Sequence, residues 1–449
     1  MTQIDWDSLS DELGDIETIA DPARVAKLSQ DYYHFSPILQ AQLSDKCAHL
    51  VVRPNSESQV LDVARVCVKH RVPLTVRGAG TGNYGQCIPL EGGIVLETSR
   101  LNAIRWIQPG LTRVEAGVKM AAFDKEARES GWELRMVPST YRTATLGGFI
   151  GGGSGGIGSI TYGLLRDRGN VLGAKVVTME DEPRVLELRG DEVEKVNHAY
   201  GTSGIITELE LALAPAHSWA ELIVLFDDFL TAARFGQALS DSDGLLKKLV
   251  CICADPIPSY FAALENHLPS GKHCALLMVA ESSLEALEDL VREYGGETSY
   301  CKTAQEAAKG VSLAEFTWNH TTLHARNVDD NLTYLQTFFW NLERVEEMYR
   351  HFGDEVMMHL EFLRAGGKAV PAGLQLVRFT TAERLQEIIR YHEDRGAAIA
   401  NPHTYILEDG GRKVIDPVQL GFKEEVDPYG LLNPGKMRGW LERKGQTGG

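Results

Sequence analysis

The feature that most limits how this chain can fold is the density of glycine between residues 147 and 158, where eight of twelve residues are glycine. Glycine loses more conformational freedom on folding than any other residue. A run this dense is therefore retained where the backbone must turn sharply or must approach something closely. The segment predicts a ligand site or a close backbone crossing.

Two further glycine-rich segments stand beside predicted strands. RGAGTGNYGQ, residues 77–86, follows the strand VPLTV, which ends a β-α-β unit that begins with the strand HLVV. AYGTSG, residues 199–204, leads into a strand predicted over 205–213. Residues 77–86 alone are equally typical of a flexible turn. Three such segments linked to strands favour instead a surface of exposed backbone amides, which suits a phosphate.

These segments do not follow the common nucleotide-binding patterns. A dinucleotide fingerprint places GxGxxG at the start of a helix, with an acidic residue about 20 positions later. The loop 77–86 leads toward another strand instead, and the chain contains no GKS or GKT phosphate loop. The glycine segments therefore predict a different mode of holding a phosphate.

In its order of motifs the chain resembles flavoproteins of the vanillyl-alcohol oxidase type, in particular their glycolate and D-lactate dehydrogenase branch. The resemblance covers about residues 45–216 and 396–437. Five ordered motifs carry it: Arg77–Gly82 with Gly85 and Gln86; Thr145–Gly148; Tyr162 and Gly163 with Arg166, Asp167 and Val171–Gly173; Gly201–Thr207; and the closing signature KEEVDPYGLLNPGKM, residues 423–437.

The resemblance implies an α+β fold, with an FAD-binding domain of two α/β subdomains and an α/β substrate domain, or cap. The expected parts are a helical lead-in at 1–44, the FAD-binding domain at 45–216, the cap at 217–395 and a returning C-terminal segment at 396–449. The residues of the middle region agree with a cap of mixed structure. They predict helices over 283–294 and 330–354 and strands over 273–280, 355–363 and 374–379.

The cofactor that the resemblance implies is extended FAD, with its pyrophosphate on loop 77–86 and its isoalloxazine near 138–150 and 205–207. Lys436 is the candidate cation for the reduced flavin, and a solvated surface lysine is the alternative. Covalent members usually carry His where Thr81 stands, and residues 132–158 contain no Cys, so we expect non-covalent FAD. The expected binding residues are Arg77, Gly78, Ala79, Gly80, Thr81, Gly82, Gly85, Gln86, Pro138, Ser139, Thr145, Gly147, Gly148, Gly204, Ile205, Ile206, Asn433 and Lys436.

The activity that the resemblance implies is an FAD-dependent dehydrogenase or oxidase acting on a small hydroxylated substrate, with a 2-hydroxy acid among the candidates. Such chemistry needs a base for the hydroxyl proton and a cation for a carboxylate. Candidate bases are His320, His403 and Tyr405, and candidate cations are Arg326 and Arg378. Two alternatives stay open: a flavin-holding subunit of an electron-transfer complex, and ether-lipid synthesis or double-bond reduction on the same scaffold.

No metal site is expected from the histidines. His320 and His324 stand four residues apart, as a helical metal pair does, but no third ligand accompanies them. The HxGDGNxH pattern of the metal-using 2-hydroxy-acid dehydrogenases in the resembling family is absent. His359 and Glu361 would share one face of a strand, where an ion pair is the simplest interpretation.

The seven cysteines show neither disulfide nor metal-ligand spacing. Cys251 and Cys253 would share one strand face as small buried side chains. The sequence thus gives these thiols a structural role.

Net charge limits the partners of the chain. Acidic residues number 62 against 45 basic ones, a net charge of −17 at pH 7, which disfavours nucleic acid. No run of about 20 apolar residues predicts a membrane span, and the acidic N-terminus is unlike a signal peptide. We therefore expect a cytoplasmic protein that binds a small-molecule substrate and an unidentified electron acceptor, with a homo-oligomer or a complex subunit left open.

Overall fold

Four sheets and fifteen α-helices make up residues 4–447, the part of the chain that the computed structural model describes. The helices are α1 Trp6–Glu12, α2 Pro22–Leu28, α3 Pro37–Leu43, α4 Glu57–His70, α5 Met120–Glu129, α6 Leu146–Gly152, α7 Ser159–Tyr162, α8 Phe229–Asp241, α9 Leu284–Glu293, α10 Ala304–Ala307, α11 Asn319–Val328, α12 Leu342–Phe352, α13 Ala382–Asp394, α14 Pro417–Val426 and α15 Arg438–Thr447. Within these residues, no helix has both the length and the apolar character that a membrane crossing needs.

The strands follow the same chain order. They are β1 Glu17–Ile19, β2 Leu50–Arg53, β3 Leu74–Arg77, β4 Ile94–Glu97, β5 Ile104–Gln108, β6 Leu111–Glu115, β7 Trp132–Leu134, β8 Val171–Val177, β9 Val185–Arg189, β10 Ile205–Pro215, β11 Trp219–Phe226, β12 Lys247–Cys253, β13 His273–Ala280, β14 Glu297–Lys302, β15 Leu332–Tyr334, β16 Gln336–Phe338, β17 Val356–Met357, β18 His359–Ala365, β19 Lys368–Gly373, β20 Leu376–Arg378 and β21 Ala398–Ala400.

The first sheet contains the predicted β-α-β unit in the order β1-β2-β4-β3. Ser56 caps α4 by accepting a hydrogen bond from the Gln59 N–H, and the apolar face of α4 is buried against the sheet. Strands β2, β4 and β3 are parallel, as a crossover connection requires. The segment 1–44 is more than a lead-in, because β1 pairs antiparallel with β2 and so belongs to this sheet.

The second sheet has the order β5-β6-β10-β8-β9, with β7 also paired to β10. The long central strand β10 confirms the strand predicted over 205–213. Its leucines 209, 211 and 213 lie in the core, whereas Glu208 and Glu210 form ion pairs with Arg113. Strand β3 ends where the glycine loop 77–86 begins, and β10 begins directly after the glycine-rich segment 199–204. The two sheets thereby bring these segments together.

The cap is an eight-stranded antiparallel sheet in the order β14-β11-β13-β12-β18-β19-β16-β21, covered by helices. The predicted strand 273–280 and the helix within 283–294 are confirmed as β13 and α9. The helix predicted over 330–354 is wrong in its first half. Residues 332–338 form β15 and β16, because aromatic and β-branched side chains there pack in a pleated sheet, and α12 begins at Leu342.

The chain leaves the cap later than predicted. Strand β21 still pairs with β16, so the boundary lies after Ala400 and not at residue 396. The closing signature then returns to the first sheet, where the Leu74 N–H donates to the Leu431 carbonyl and the Asn433 N–H donates to the Leu74 carbonyl. The C-terminal segment thereby covers the exposed edge of β3.

A buried ion pair fixes this returning segment. Lys423 Nζ lies 2.5 Å from Asp427 Oδ2 and donates a further hydrogen bond to the Leu432 carbonyl at 2.9 Å. Both Lys423 and Asp427 are almost fully buried. Asp427 also accepts the backbone N–H groups of Leu431 and Leu432. The carboxylate is therefore the group around which the closing signature folds.

We expect Asp427→Ala to lower the free energy of unfolding by about 3–5 kcal/mol, because it leaves the Lys423 ammonium buried without its counter-charge. Chemical denaturation followed by circular dichroism measures the loss. Asp62→Ala is the control, since it breaks an exposed ion pair with Arg65 and should cost ~0–1 kcal/mol. Equal losses in the two variants would show that the buried pair does not stabilise the C-terminal segment.

Candidate active site

A cavity of about 650 Å³ lies where the glycine-rich segments meet the cap. Pockets that hold small molecules and cofactors span about 300–1,000 Å³, so a sizeable ligand fits. Fourteen of the residues on its wall are glycines, most of them in the segments 78–82, 147–155 and 201–204. One side of the cavity is therefore mainly backbone, and the cap supplies side chains to the other.

The first two glycine segments touch through their backbones. A Cβ atom on Gly78 would overlap the Thr145 hydroxyl and would lie 3.2 Å from Gly148 Cα. Thr145 is the N-cap of α6, and its hydroxyl accepts a hydrogen bond from the Gly148 N–H at 3.2 Å. Gly147 is equally constrained, because a Cβ there would lie 2.6 Å from Ala116 Cβ. These glycines are required for the crossing itself.

Gly151 has a different function in the wall. It lies in α6 and lines the cavity, and a Cβ added to it would meet no protein atom within 4 Å. The space beside Gly151 belongs to the cavity, so a side chain at this position would fill part of the cavity. This space is called the cradle below. The wall thus fits an extended ligand that approaches the main chain closely.

Thirteen of the eighteen residues predicted to bind the cofactor line this cavity. They are Gly78, Ala79, Gly80, Thr81, Gly82, Gln86, Pro138, Ser139, Thr145, Gly147, Gly148, Gly204 and Ile206. The Thr81 hydroxyl lies 3.3 Å from the Thr140 hydroxyl. Cys87 is the one thiol on the wall among the described residues, and burial raises its pKa to about 11. The expectation of a non-covalent cofactor stays a prediction.

Arg77 lies behind the wall and not on it, and its expected contact with phosphate stays a prediction. Its guanidinium donates to the carbonyls of Gln30 and Ala79 and lies 3.4 Å from Cys87 Sγ. A Cβ on Gly80 would collide with this guanidinium. Arg77 therefore holds the loop from beneath, and the backbone faces the cavity.

Lys436 and Asn433 also lie behind the wall, and their expected contacts with the cofactor stay predictions. Lys436 is fully buried and donates to the Gly85 carbonyl, and burial lowers its pKa to about 7. The Asn433 side-chain amide donates to the carbonyls of Gln86 at 2.7 Å and Tyr200 at 2.6 Å. Both residues tie the closing signature to the glycine loop.

Two further predicted contacts are packing positions instead. Gly85 has φ +68°, and a Cβ there would collide with the Leu43 side chain. The Ile205 side chain is buried in the core of the first subdomain, together with Leu432. Neither residue lines the cavity, because the first packs beneath the loop and the second beneath the sheet.

The structure places His403 in the core, so its assignment as a base stays a prediction. Its Nε2 donates to the Tyr334 carbonyl at 2.9 Å, so Nδ1 accepts from the Ser36 hydroxyl at 2.8 Å. Burial lowers the pKa of His403 to about 4, and the ring lies outside the cavity wall. Tyr405 is likewise outside it, where it packs with Leu43 and Ile88.

The other predicted catalytic residues also lie away from the cavity. His320 Nδ1 is 3.2 Å from Glu315 Oε2, and the Arg326 guanidinium donates to the Leu332 carbonyl. Arg378 is half-exposed and pairs with Asp329. These contacts occupy each side chain within the cap, so the structure does not bring the three together as a site. His324 donates to the Glu315 carbonyl and forms no metal pair with His320.

Sequence reasoning missed His198, which lines the cavity. Its Nδ1–H donates to the Gly153 carbonyl at 2.9 Å, so the lone pair is on Nε2. A Cβ on Gly411 would lie 3.7 Å from Nε2, and glycine therefore leaves room beside this atom. Burial, with smaller contributions from the charges of Arg166 and Arg412, lowers the pKa of His198 to about 4. The ring is therefore neutral and its orientation is fixed, but a pKa of about 4 makes it a weaker base than an imidazole that titrates near neutral pH.

Two arginines line the same cavity in different states. Arg166 forms ion pairs with Glu194 and Asp416. The exposed Arg412 has neither an ion pair nor a hydrogen bond among the described residues. Its positive charge contributes to the lowered pKa of His198. Arg412 is thus the cavity cation whose charge no carboxylate of the described chain neutralises.

The cap contributes polar groups without partners to the wall. The indole N–H of Trp318 and the side-chain carbonyl of Asn319 are buried without a hydrogen-bond partner. Trp318 also has φ 52° and ψ −138°, a backbone conformation that is costly for any residue but glycine. The Tyr84 hydroxyl donates to Gln336 Oε1 at 2.5 Å across the cavity from the first subdomain to the cap. Buried unpaired groups and strain together mark a binding surface.

Comparison with known proteins identifies the domain that builds the glycine-rich wall. Residues 48–186 match the family described as FAD binding domain. The chain is 24% identical over 436 residues to glycolate oxidase subunit GlcD of Bacillus subtilis, covering 86% of this chain and 88% of that protein. It is 31% identical over 202 residues to glycolate oxidase subunit GlcD of Escherichia coli, covering 43% of this chain and 39% of that protein.

Two other similarities extend the comparison. D-lactate dehydrogenase of Anaerostipes hadrus is 25% identical over 215 residues, which covers 45% of this chain and 43% of that protein. A solved alkyldihydroxyacetonephosphate synthase superposes with a TM-score of 0.71 at 16% identity, covering 97% of this chain and 86% of that chain. That likeness shows the fold alone. The predicted FAD cofactor and the predicted fold class are confirmed.

We expect Gly151→Val to weaken FAD binding about 10- to 100-fold, because a branched side chain would fill the cradle at a cost of about 1–3 kcal/mol. Titration of the flavin-free protein with FAD, followed by fluorescence quenching, measures the affinity. Gly421→Val is the matched control, since Gly421 is also helical and has no atom within 4 Å of an added Cβ, but is exposed in α14. Unchanged affinity in Gly151→Val would mean that FAD does not pass this wall.

Proposed function

We propose that this chain, an FAD-dependent oxidoreductase of the vanillyl-alcohol oxidase type, oxidises a small 2-hydroxy acid. The observation that carries the proposal is the pairing of an oriented neutral imidazole, His198, with the unpaired cation Arg412 on one cavity wall. The names of the relatives support the substrate class, since they are a glycolate oxidase subunit and a D-lactate dehydrogenase.

The wall residues fit FAD, and we propose that the amides of loop 78–82 hold its pyrophosphate while segment 147–153 contacts the ring system. Arg77 and Lys436 would keep the loop in shape from behind, through their bonds to the Ala79 and Gly85 carbonyls. Bound FAD supplies a hydride acceptor. The protein must then provide the base, the anion site and the orientation of the substrate.

His198 would accept the hydroxyl proton of the substrate at Nε2. The hydrogen bond from Nδ1–H to Gly153 fixes the tautomer, so the lone pair of Nε2 is available. The lowered pKa of His198 keeps the ring unprotonated at neutral pH. Proton removal from the hydroxyl makes the carbon-bound hydrogen a better hydride, which is the contribution expected of a general base.

Arg412 would bind the substrate carboxylate, since its guanidinium has a planar fork of donors that matches a carboxylate. Arg166 is less suited, because Glu194 and Asp416 already neutralise it. The Trp318 indole N–H and the Asn319 side-chain carbonyl, both without partners, would supply a neutral donor and a neutral acceptor from the cap side. A small acid with one hydroxyl matches this set of donors and acceptors.

We expect His198→Asn to slow anaerobic flavin reduction by about 10²–10⁴-fold, the usual loss for a general base. Asparagine tolerates the positive φ of residue 198, so the backbone is preserved. Stopped-flow absorbance of flavin, at equal flavin content and with the best acid from a screen of 2-hydroxy acids, measures the rate. His320→Asn is the control and should stay within a few-fold of the parent. Parent-like reduction by His198→Asn would rule out this base.

We expect Arg412→Gln to weaken binding of a 2-hydroxy acid about 10- to 100-fold, because a charge-assisted hydrogen bond contributes about 1.5–3 kcal/mol. Neutral alcohols should be unaffected, since they lack the carboxylate. The concentration dependence of flavin reduction separates binding from rate. Arg378→Gln changes an arginine outside the cavity and should alter neither. Equal losses for acids and alcohols would show that Arg412 supports the fold only.

A second candidate is a flavin-holding subunit of an electron-transfer complex. Two of the relatives, both named glycolate oxidase subunit GlcD, favour it. No bleaching of the flavin by any acid in the screen, together with reduction by an added electron donor, would favour this alternative. A cytoplasmic location stays a prediction.

A further inference from the structure

Five side chains able to bind metal lie together on one face of the cap sheet, in neighbouring strands β13, β12 and β18. Cys253 is directly opposite both Cys274 and His359, and Cys251 is directly opposite Glu361. Directly opposed residues of a sheet project to the same face. All five side chains are almost fully buried. The sequence interpretation of Cys251 and Cys253 as small packing residues did not include the two residues that β18 brings beside them.

The donor atoms of three of these residues are close to one another. Cys251 Sγ lies 3.8 Å from Cys253 Sγ and 3.4 Å from His359 Nε2. The ligand atoms of Cys251, Cys253 and His359 all fall within 4.8 Å of one another, the one such group of three within residues 4–447. Zn–S bonds of about 2.3 Å at a tetrahedral centre place two sulfurs about 3.8 Å apart. The cysteine pair has this spacing.

The orientation of His359 is that of a ligand. Its Nδ1–H donates to the Leu374 carbonyl at 3.1 Å, the contact that typically fixes a metal-binding imidazole. Nε2 therefore faces the cluster, where its N–H donates to Glu361 Oε1 at 3.0 Å, and a metal ion would replace this proton. The Thr321 hydroxyl, 3.4 Å from Nε2, does not compete, because its proton is donated to the Phe316 carbonyl at 2.7 Å.

One nitrogen and two sulfur donor atoms thus converge on one buried point. We propose that Cys251, Cys253 and His359 bind one Zn²⁺ ion. Thiolate and imidazole donors are typical of structural zinc sites. This site is independent of the proposed oxidation chemistry.

The ion would join β12 to β18 within the cap. It would also hold the cavity wall in place, because Glu361, 3.0 Å from His359 Nε2, accepts the Trp318 backbone N–H at 2.6 Å.

Metal analysis of the flavin-loaded protein, purified from zinc-supplemented growth without chelators or a metal-binding tag, tests the proposal. We expect about one zinc per chain, and zinc-edge X-ray absorption with two sulfurs at about 2.3 Å. Cys253→Ser and His359→Gln should each lose at least about nine-tenths of the zinc. Cys67→Ser should keep it, since Cys67 is an equally buried thiol in the first subdomain.

Two results would overturn the proposal. The first is protein with well under one tenth of a zinc per chain, which would mean that protons fill the cluster and that His359 and Glu361 form only an ion pair. The second is a zinc shell without sulfur, or zinc that survives both substitutions. The absorption spectrum of the parent protein decides the question even if a variant fails to fold.

Discussion

The close contact between the glycine loop 77–86 and the start of α6 is the constraint on which the cavity depends. Gly78 and Gly148 meet through main-chain atoms, so neither position has room for a side chain. Two buried basic side chains, Arg77 and Lys436, donate hydrogen bonds to loop carbonyls from behind. The buried carboxyl of Asp31 lies close to both, and desolvation raises its pKa to about 6. Because these contacts from beneath go to loop carbonyls, they do not occupy the loop amides.

Residues of both the glycine-rich wall and the cap line this cavity in strained backbone conformations. Three residues on the cavity wall have positive φ without being glycine: His198 and Tyr200, each at 53°, and Trp318, at 52°. Such conformations persist where the surrounding structure enforces them, and they concentrate at functional sites. His198, from the glycine-rich wall, and Trp318, from the cap, both line the cavity in such conformations.

The sequence predicted what local patterns determine and missed what long-range packing determines. Glycine segments and alternating strands such as β10 and β13 follow from spacing alone. His403 stood among polar and aromatic neighbours, but Ser36, 367 residues away, binds it in the core. His198 gave no periodic signal, because its orientation follows from a positive φ and a contact with Gly153. The sequence signal for His198 was its position directly before the glycine-rich segment AYGTSG, residues 199–204.

The most direct test of the active site is a crystal structure of the flavin-loaded protein, prepared anaerobically with the flavin reduced and soaked with a 2-hydroxy acid found to bleach it. The acid should lie between the flavin and the cap, with its hydroxyl oxygen about 2.6–3.2 Å from His198 Nε2 and its carboxylate on Arg412. An acid bound elsewhere, or one whose hydroxyl faces no part of His198, would contradict the assignment of the cavity and of its base.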